Sequence, residues 1–152
     1  MLEKEFHHLI MDNSKSLING IGDLKTTKKY YDDWSSKYDL TLSKWNYTIP
    51  KKSIHLLKKK LKHHPKKILD LACGTGLFGE ELKIAFRNSL IFGSDISKNS
   101  LNIAKRKNIY KNLFKIDFEK KKNYQIKFEL VAMIGAMTYC KNFYKLFSNI
   151  QY

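Results

Sequence analysis

The sequence predicts an α/β protein built on a doubly wound parallel sheet, and three observations carry that prediction. From Lys67 onward, short apolar runs alternate with amphipathic stretches, the pattern of right-handed crossovers with helices on both faces of a parallel sheet. The first run, Ile68-Leu69-Asp70-Leu71, leads into the small residues Ala72-Cys73-Gly74-Thr75-Gly76, which suit a tight turn where the backbone stays open to approach. Acidic or small-residue features then recur just past successive apolar runs: Asp70 to Gly76, Asp95 and Asp117.

The elements follow in order. Residues 1–64 read as a helical preface and residues 65–152 as the sheet domain. In the preface, Tyr31, Trp34 and Tyr38 stand at i, i+3 and i+7 and share one helix face. Pro50 opens a helix running to about Leu61, with Ile54, Leu57 and Leu61 on one stripe and lysines around the rest. Pro65 ends the preface. The pattern then predicts strand 67–72, helix 77–87, strand 89–94, helix 98–107, strand 112–117, strand 127–134 and helix 141–149. The stretch from Glu119 to Gln125 is too short and polar to read as a helix. Phe128 to Ile134 is apolar nearly throughout, the composition of a strand covered on both faces and paired on both edges. An outer edge without a partner there invites a homo-oligomer or a complementing chain.

A chain of 152 residues suits one domain with its own core. The net charge is +15, yet of the basic residues only Arg87 and Arg106 are arginines. Arginine is the residue favoured for bidentate phosphate and base contacts. A lysine excess with abundant Ile and Asn reads instead as a coding sequence rich in A and T and a solvated surface, so nucleic acid is not the expected partner. Cys73 and Cys140 have no metal-ligand spacing, so no metal is expected and a reducing, cytoplasmic compartment fits. The opening Met1-Leu2-Glu3-Lys4-Glu5 is acidic where a signal peptide is basic, and no apolar run reaches the roughly 18 residues of a membrane span.

In such a sheet, ligands bind at the carboxyl ends of the strands, beside the switch point. The 72–76 turn would offer bare backbone N–H groups to a ligand. Asp95 lies 19 residues beyond Gly76, where a carboxylate can accept both hydroxyls of a ribose. Asp117 and Phe118 are suited to an adenine. Any one of these acids alone is better read as a helix cap or turn former, Asp95-Ile96-Ser97 in particular; their recurrence at three strand ends favours a site. Gly74-Thr75-Gly76-Leu77-Phe78-Gly79 also satisfies the dinucleotide pattern G-x-G-x-x-G. Two features weigh against a nicotinamide cofactor: Asp70 interrupts the apolar run ahead of Gly74, and a long helical preface comes first. Both favour S-adenosylmethionine.

On these residues the chain resembles the class I S-adenosylmethionine-dependent methyltransferases. Leu69-Asp70-Leu71-Ala72-Cys73-Gly74-Thr75-Gly76 is similar to the family's first motif, and the likeness continues through Gly93-Ser94-Asp95-Ile96-Ser97, Ile116-Asp117-Phe118 and the run from Phe128 to Gly135. Tyr31-Asp32-Asp33-Trp34-Ser35-Ser36-Lys37-Tyr38-Asp39 resembles the Y-D-x-W-A-x-x-Y-D opening of one subgroup. That subgroup includes the Williams–Beuren-region methyltransferase-like proteins and bacterial small-molecule methyltransferases. Ala72 stands where the family most often has glycine, and Ser35 where it has alanine; both residues are small.

The resemblance implies a Rossmann-like doubly wound sheet, here incomplete because family members usually continue with further strands, so that only the strand order 3-2-1-4 can form. It also implies methyl transfer from S-adenosylmethionine to a small-molecule acceptor. By position, Asp70 belongs to the first motif, and Ala72, Cys73, Gly74, Thr75 and Gly76 cradle the methionyl part. Asp95 holds the ribose, Ile96 and Phe118 sandwich the adenine, Asp117 meets its amino group, and Asp70 and Ile134 are counted with them as cofactor-binding residues. Tyr31 and Tyr38 form a lid over the sulfonium, while Trp34 serves equally as packing. Methyl transfer is an in-line displacement that needs alignment and exclusion of water, with a base only where the acceptor arrives protonated. No general base is assigned. His7, His8, His55, His63 and His64 all sit in the preface or its end, the His63-His64 pair reading as solvent-exposed, and Tyr139 is either near the acceptor or a core aromatic. Two further readings are a non-catalytic S-adenosylmethionine-binding fragment or half of a complementing pair, and an RNA methyltransferase using the lysines between Lys51 and Lys67.

Overall fold

Residues 24–120 and 124–150 are described by the computed structural model; the acidic opening, His7, His8 and the centre of the 119–125 gap lie outside them. The described residues form α1 (Leu24–Lys44), α2 (Ile49–Lys60), β1 (Lys67–Leu71), α3 (Leu77–Ala85), β2 (Leu90–Asp95), α4 (Lys98–Arg106), β3 (Asn112–Lys115), β4 (Leu130–Ala132), a 3-10 turn (Met137–Tyr139) and α5 (Phe143–Ile150). The strands make one sheet in the order β3-β2-β1-β4, and each adjacent pair is parallel. This is the α/β architecture and strand order that the sequence predicts.

The central strand explains why the sheet holds together. In β1, residues Ile68 to Leu71 are all buried, as expected of a strand with helices on both faces. Alternation along it feeds two separate cores. Ile68 joins Ile54 of α2, Phe78 and Leu82 of α3, Phe86, Ile91 and Ala132 on one face. Leu69 and Leu71 join Phe92, Tyr124 and Leu146 of α5 on the other.

Several boundaries depart from the sequence reading, each for a local reason. The sequence predicts the fourth strand over 127–134, apolar enough for cover on both faces, with its outer edge left without a partner. Only Leu130–Ala132 pairs, and only with β1 among the described residues; Leu130 and Val131 are half-buried. β1 itself turns away at Ala72, whose φ is +60°, and the chain after β4 turns at Gly135 with φ +77°, so the shared ladder is short. Before it, Phe128 leaves the strand path to pack on Phe92 and Tyr124, each at 5.4 Å between ring centroids. α3 stops at Ala85 because Phe86 turns into the core, 3% exposed. α5 starts at Phe143 because Asn142 caps it, its Oδ1 accepting the Lys145 N–H at 2.9 Å.

Gly79, the last glycine of the G-x-G-x-x-G stretch, and Gly93 of β2 share a packing role that the pattern does not reveal. A Cβ on Gly79 would lie 2.1 Å from the Tyr110 hydroxyl, and one on Gly93 would lie 2.9 Å from the same ring. The absence of side chains at these two points lets Tyr110 slide between α3 and β2 and reach Asp70 with its hydroxyl, 2.7 Å away. Gly79→Ala adds helix propensity of about 1 kcal/mol but forces this ring out of a closed space, a change that costs about 1–3 kcal/mol. The expected outcome is a net loss of stability in urea denaturation, whereas alanine at an open helical position would raise it.

Candidate functional site

The turn after β1 begins with a run of left-handed backbone. Ala72, Gly74 and Gly76 have φ of +60°, +55° and +92°. At Ala72 a side chain tolerates a conformation that glycine adopts freely, at a cost on the order of 1 kcal/mol. A Cβ at Gly74 would meet nothing within 4 Å, so that residue fronts open space. The turn is pinned at its base, where the Cys73 N–H donates to the Ser94 carbonyl at 2.9 Å.

Asp95 ends β2 beside this turn. One carboxylate oxygen accepts the Gly74 N–H at 2.8 Å and the other accepts the Ser97 N–H at 2.8 Å. The helix cap is a different residue: the Ser97 hydroxyl accepts the Ser100 N–H at 3.0 Å. Burial pushes the Asp95 carboxyl above its ordinary value, and the N–H groups of Ser97 and Gly74 pull it back. Each oxygen keeps a further lone pair for a ligand hydroxyl.

A cavity of about 280 Å³ opens over these strand ends. Ala72, Gly74 and Thr75 line it from the first turn, Asp95 and Ile96 from the second, and Asp117 and Phe118 from the segment after β3. Ile134 lines it beyond β4, and Tyr31 and Tyr38 of α1 line it from the preface. Asp70 and Cys73 instead face an adjoining space of about 40 Å³, together with Tyr38 and Tyr47, and Gly76 lines neither cavity, lying against Tyr110. Asp117 is both wall and turn former, its Oδ1 accepting the Glu119 N–H at 3.0 Å. Sequence reasoning missed Ser100, Ile116, Gly135, Ala136 and Lys141 in the lining, and Leu24 and Thr27 at the start of α1. None of the lysines between 51 and 67 lines this cavity.

The tyrosine face of α1 is directed inward. Tyr31 and Tyr139 share a hydroxyl hydrogen bond of 2.9 Å with their rings edge to face at 5.8 Å, which places Tyr139 in the cavity wall. Burial pushes the hydroxyls of Tyr31 and Tyr38 well above the usual tyrosine value, so both stay neutral. Trp34 packs behind them, 4.7 Å from the Tyr38 ring and 6.1 Å from Trp45, and is a packing residue. The aspartate that follows each tyrosine was not singled out from the sequence, yet both join the preface to the sheet domain: Asp32 accepts the Ser97 hydroxyl at 2.6 Å, and Asp39 accepts the Thr75 hydroxyl at 2.5 Å. His63 and His64 are exposed, and the His64 ring lies against Phe86.

Residues 68–151 match the family model described as a methyltransferase domain. The chain belongs to the methyltransferase family. It is 31% identical over 124 residues to methyltransferase-like protein 27 of Homo sapiens, an alignment covering 79% of this chain and 50% of that protein. The chain thus spans about half the length of that curated relative. Two solved structures share the fold. Streptomyces venezuelae DesVI superposes with a TM-score of 0.64 at 20% identity, covering 76% of this chain and 50% of its own. The plantazolicin methyltransferase BpumL, solved in complex with SAH, superposes with a TM-score of 0.60 at 16% identity, covering 99% of this chain and 57% of its own. Among the described residues, no helix is long and apolar enough to cross a membrane.

Asp70 gives the methyltransferase domain a pH signature of its own. It is 1% exposed, and burial pushes its carboxyl up to about 7, with the Tyr110 hydrogen bond opposing and the Asp95 charge adding. Between the ordinary value of 3.8 and about 7, the folded protein holds a proton that the unfolded chain has released. Stability therefore falls as pH rises through that window and levels off above it. Asp70→Asn removes this titration. Relative to wild type, the variant is expected to gain on the order of 4 kcal/mol between about pH 4 and about pH 8 in urea denaturation; parallel profiles would remove the assignment.

Proposed function

We propose that this chain binds S-adenosylmethionine in the 280 Å³ cavity and transfers its methyl group to a small-molecule acceptor. One observation carries the reading: a carboxylate held by two backbone N–H groups, Asp95, stands at the strand ends beside a turn whose backbone is uncovered at Gly74. Asp95 would take the ribose hydroxyls, Ile96 and Phe118 the faces of the adenine, Asp117 its amino group, and the backbone of Ala72 to Thr75 the amino-acid tail. Asp70 and Cys73, in the adjoining space, would stand beneath that tail.

When bound, S-adenosylmethionine supplies a methyl group on a positively charged sulfur. The residues around it then have two tasks. Tyr31 and Tyr38, neutral and ring-faced toward the cavity, would stabilise that charge by about 1 kcal/mol without competing as nucleophiles. α1 and the segment from Ile134 to Tyr139 would keep water from the reacting atoms and hold the acceptor in line. The paired hydroxyls of Tyr31 and Tyr139 offer an acceptor a polar contact on this side of the cavity.

A second reading is binding without turnover, as a cofactor-binding fragment or one half of a complementing pair; its support is the outer edge of β4, which among the described residues pairs with β1 alone. Two measurements separate these readings from each other and from a nicotinamide site. Calorimetric titration is expected to show S-adenosylhomocysteine binding to wild type and weakening about a hundredfold in Asp95→Ala, the loss expected of two hydrogen bonds to a charged group. Equal or tighter binding of NAD would overturn the cofactor assignment. Methyl release on a pool of small metabolites is then expected from the wild type, and binding with no release would favour the fragment reading.

A further inference from the structure

The tyrosines of α1 that line the cavity, Tyr31 and Tyr38, are each followed by an aspartate that does not line it. Spaced by seven residues, Asp32 and Asp39 lie on one helix face about 10 Å apart along the axis. Asp32 receives the Ser97 hydroxyl at 2.6 Å and the Asn99 N–H at 3.2 Å, while the Asn99 amide donates to the Asp32 carbonyl at 3.1 Å and Lys28 pairs with its second oxygen. Asp39 receives the Thr75 hydroxyl at 2.5 Å, and its other oxygen pairs at 2.8 Å with Lys107, which also reaches Glu80.

These contacts converge on the carboxylate between them. Ser97 and the Gly74-Thr75 step are the two places from which Asp95 takes its backbone N–H groups. Ser97 and Thr75 are 0% and 1% exposed, so their hydroxyls depend on the aspartates for an acceptor, and a displaced hydroxyl would be left buried and unpaired. Asp32, Ser97 and Asp95 form one line of contact, and Asp39, Thr75, Gly74 and Asp95 form a second from the opposite side.

We propose that Asp32 and Asp39 are positioning residues for the nucleoside: acting through Ser97 and Thr75, they fix the two N–H donors that orient Asp95, so that docking of α1 and the grip on the ribose are one arrangement. The inference rests on the reading that Asp95 takes the ribose hydroxyls. It explains why the tyrosines and aspartates occur as pairs: one member faces the ligand, and the other sets the residue that holds the ligand.

The test compares S-adenosylhomocysteine with its 2′,3′-dideoxy analogue by calorimetry in wild type, Asp32→Ala, Asp39→Ala and the corresponding asparagine variants. Wild type is expected to prefer the hydroxylated ligand by about tenfold or more. Either alanine variant is expected to cut that preference at least about threefold, because a misaligned carboxylate loses the hydroxyls while the adenine contacts remain. Asparagine keeps an acceptor oxygen in the same place and is expected to restore most of the preference. Should one alanine variant fail to fold, the other reads the same quantity from the opposite side of Asp95. Alanine variants that weaken both ligands equally, with the preference intact, would reduce α1 to a structural support and overturn the proposal. A wild type that binds S-adenosylhomocysteine with no preference for the hydroxyls would overturn the ribose reading as well.

Discussion

The carboxylate of Asp95 is set back from bulk solvent at the end of β2, and a charge in that position is tolerable only because backbone N–H groups of two different loops turn toward it. Most of the geometry around the cavity follows from this constraint. To present the Gly74 N–H, the turn after β1 passes through left-handed backbone at Ala72 and Gly74. To present the Ser97 N–H, the chain enters α4 through a serine that is also its cap. The two loops that flank the middle of the sheet are therefore tied to one side chain, and the space over the strand ends has a fixed acid on its rim.

A second layer of order comes from the preface. α1 is amphipathic in an unusual way, its inward face carrying tyrosine rings toward a cavity and carboxylates toward the hydroxyls of the sheet domain. An exposed ion pair on such a helix would contribute little. The contacts made by Asp32 and Asp39 differ because their partners Ser97 and Thr75 are buried, and Lys107, shared by Asp39 and Glu80, is only 17% exposed in its side chain. The helix sits as a wall of the cavity, with Tyr31 joined to Tyr139 across its far end.

The sheet was legible because its signals are local and periodic: runs of apolar residues, small residues at one turn, and acids after successive runs. The places of Asp95, Asp117 and Phe118 at the strand ends follow from that pattern, while the strand order and Ile96 came through the family resemblance. What could not be read depends on packing between distant segments. Tyr110 gives no sign in the sequence that it fills the spaces left by Gly79 and Gly93 to reach Asp70. The short β4 was hidden because Phe128 looks like strand composition but packs against Phe92 and Tyr124 instead. Asp32 and Asp39 stood within a recognised motif, but their partners lie 65 and 36 residues away, a separation no spacing rule covers. Gly76, expected in the cradle, turned out to face Tyr110.

The most direct test of this account is a crystal structure of the protein grown with S-adenosylhomocysteine. The account predicts both ribose hydroxyls within hydrogen-bond distance of the Asp95 carboxylate and the amino-acid tail along the backbone of residues 72–75. A ligand bound elsewhere, or bound in the cavity with its ribose turned away from Asp95, would contradict it.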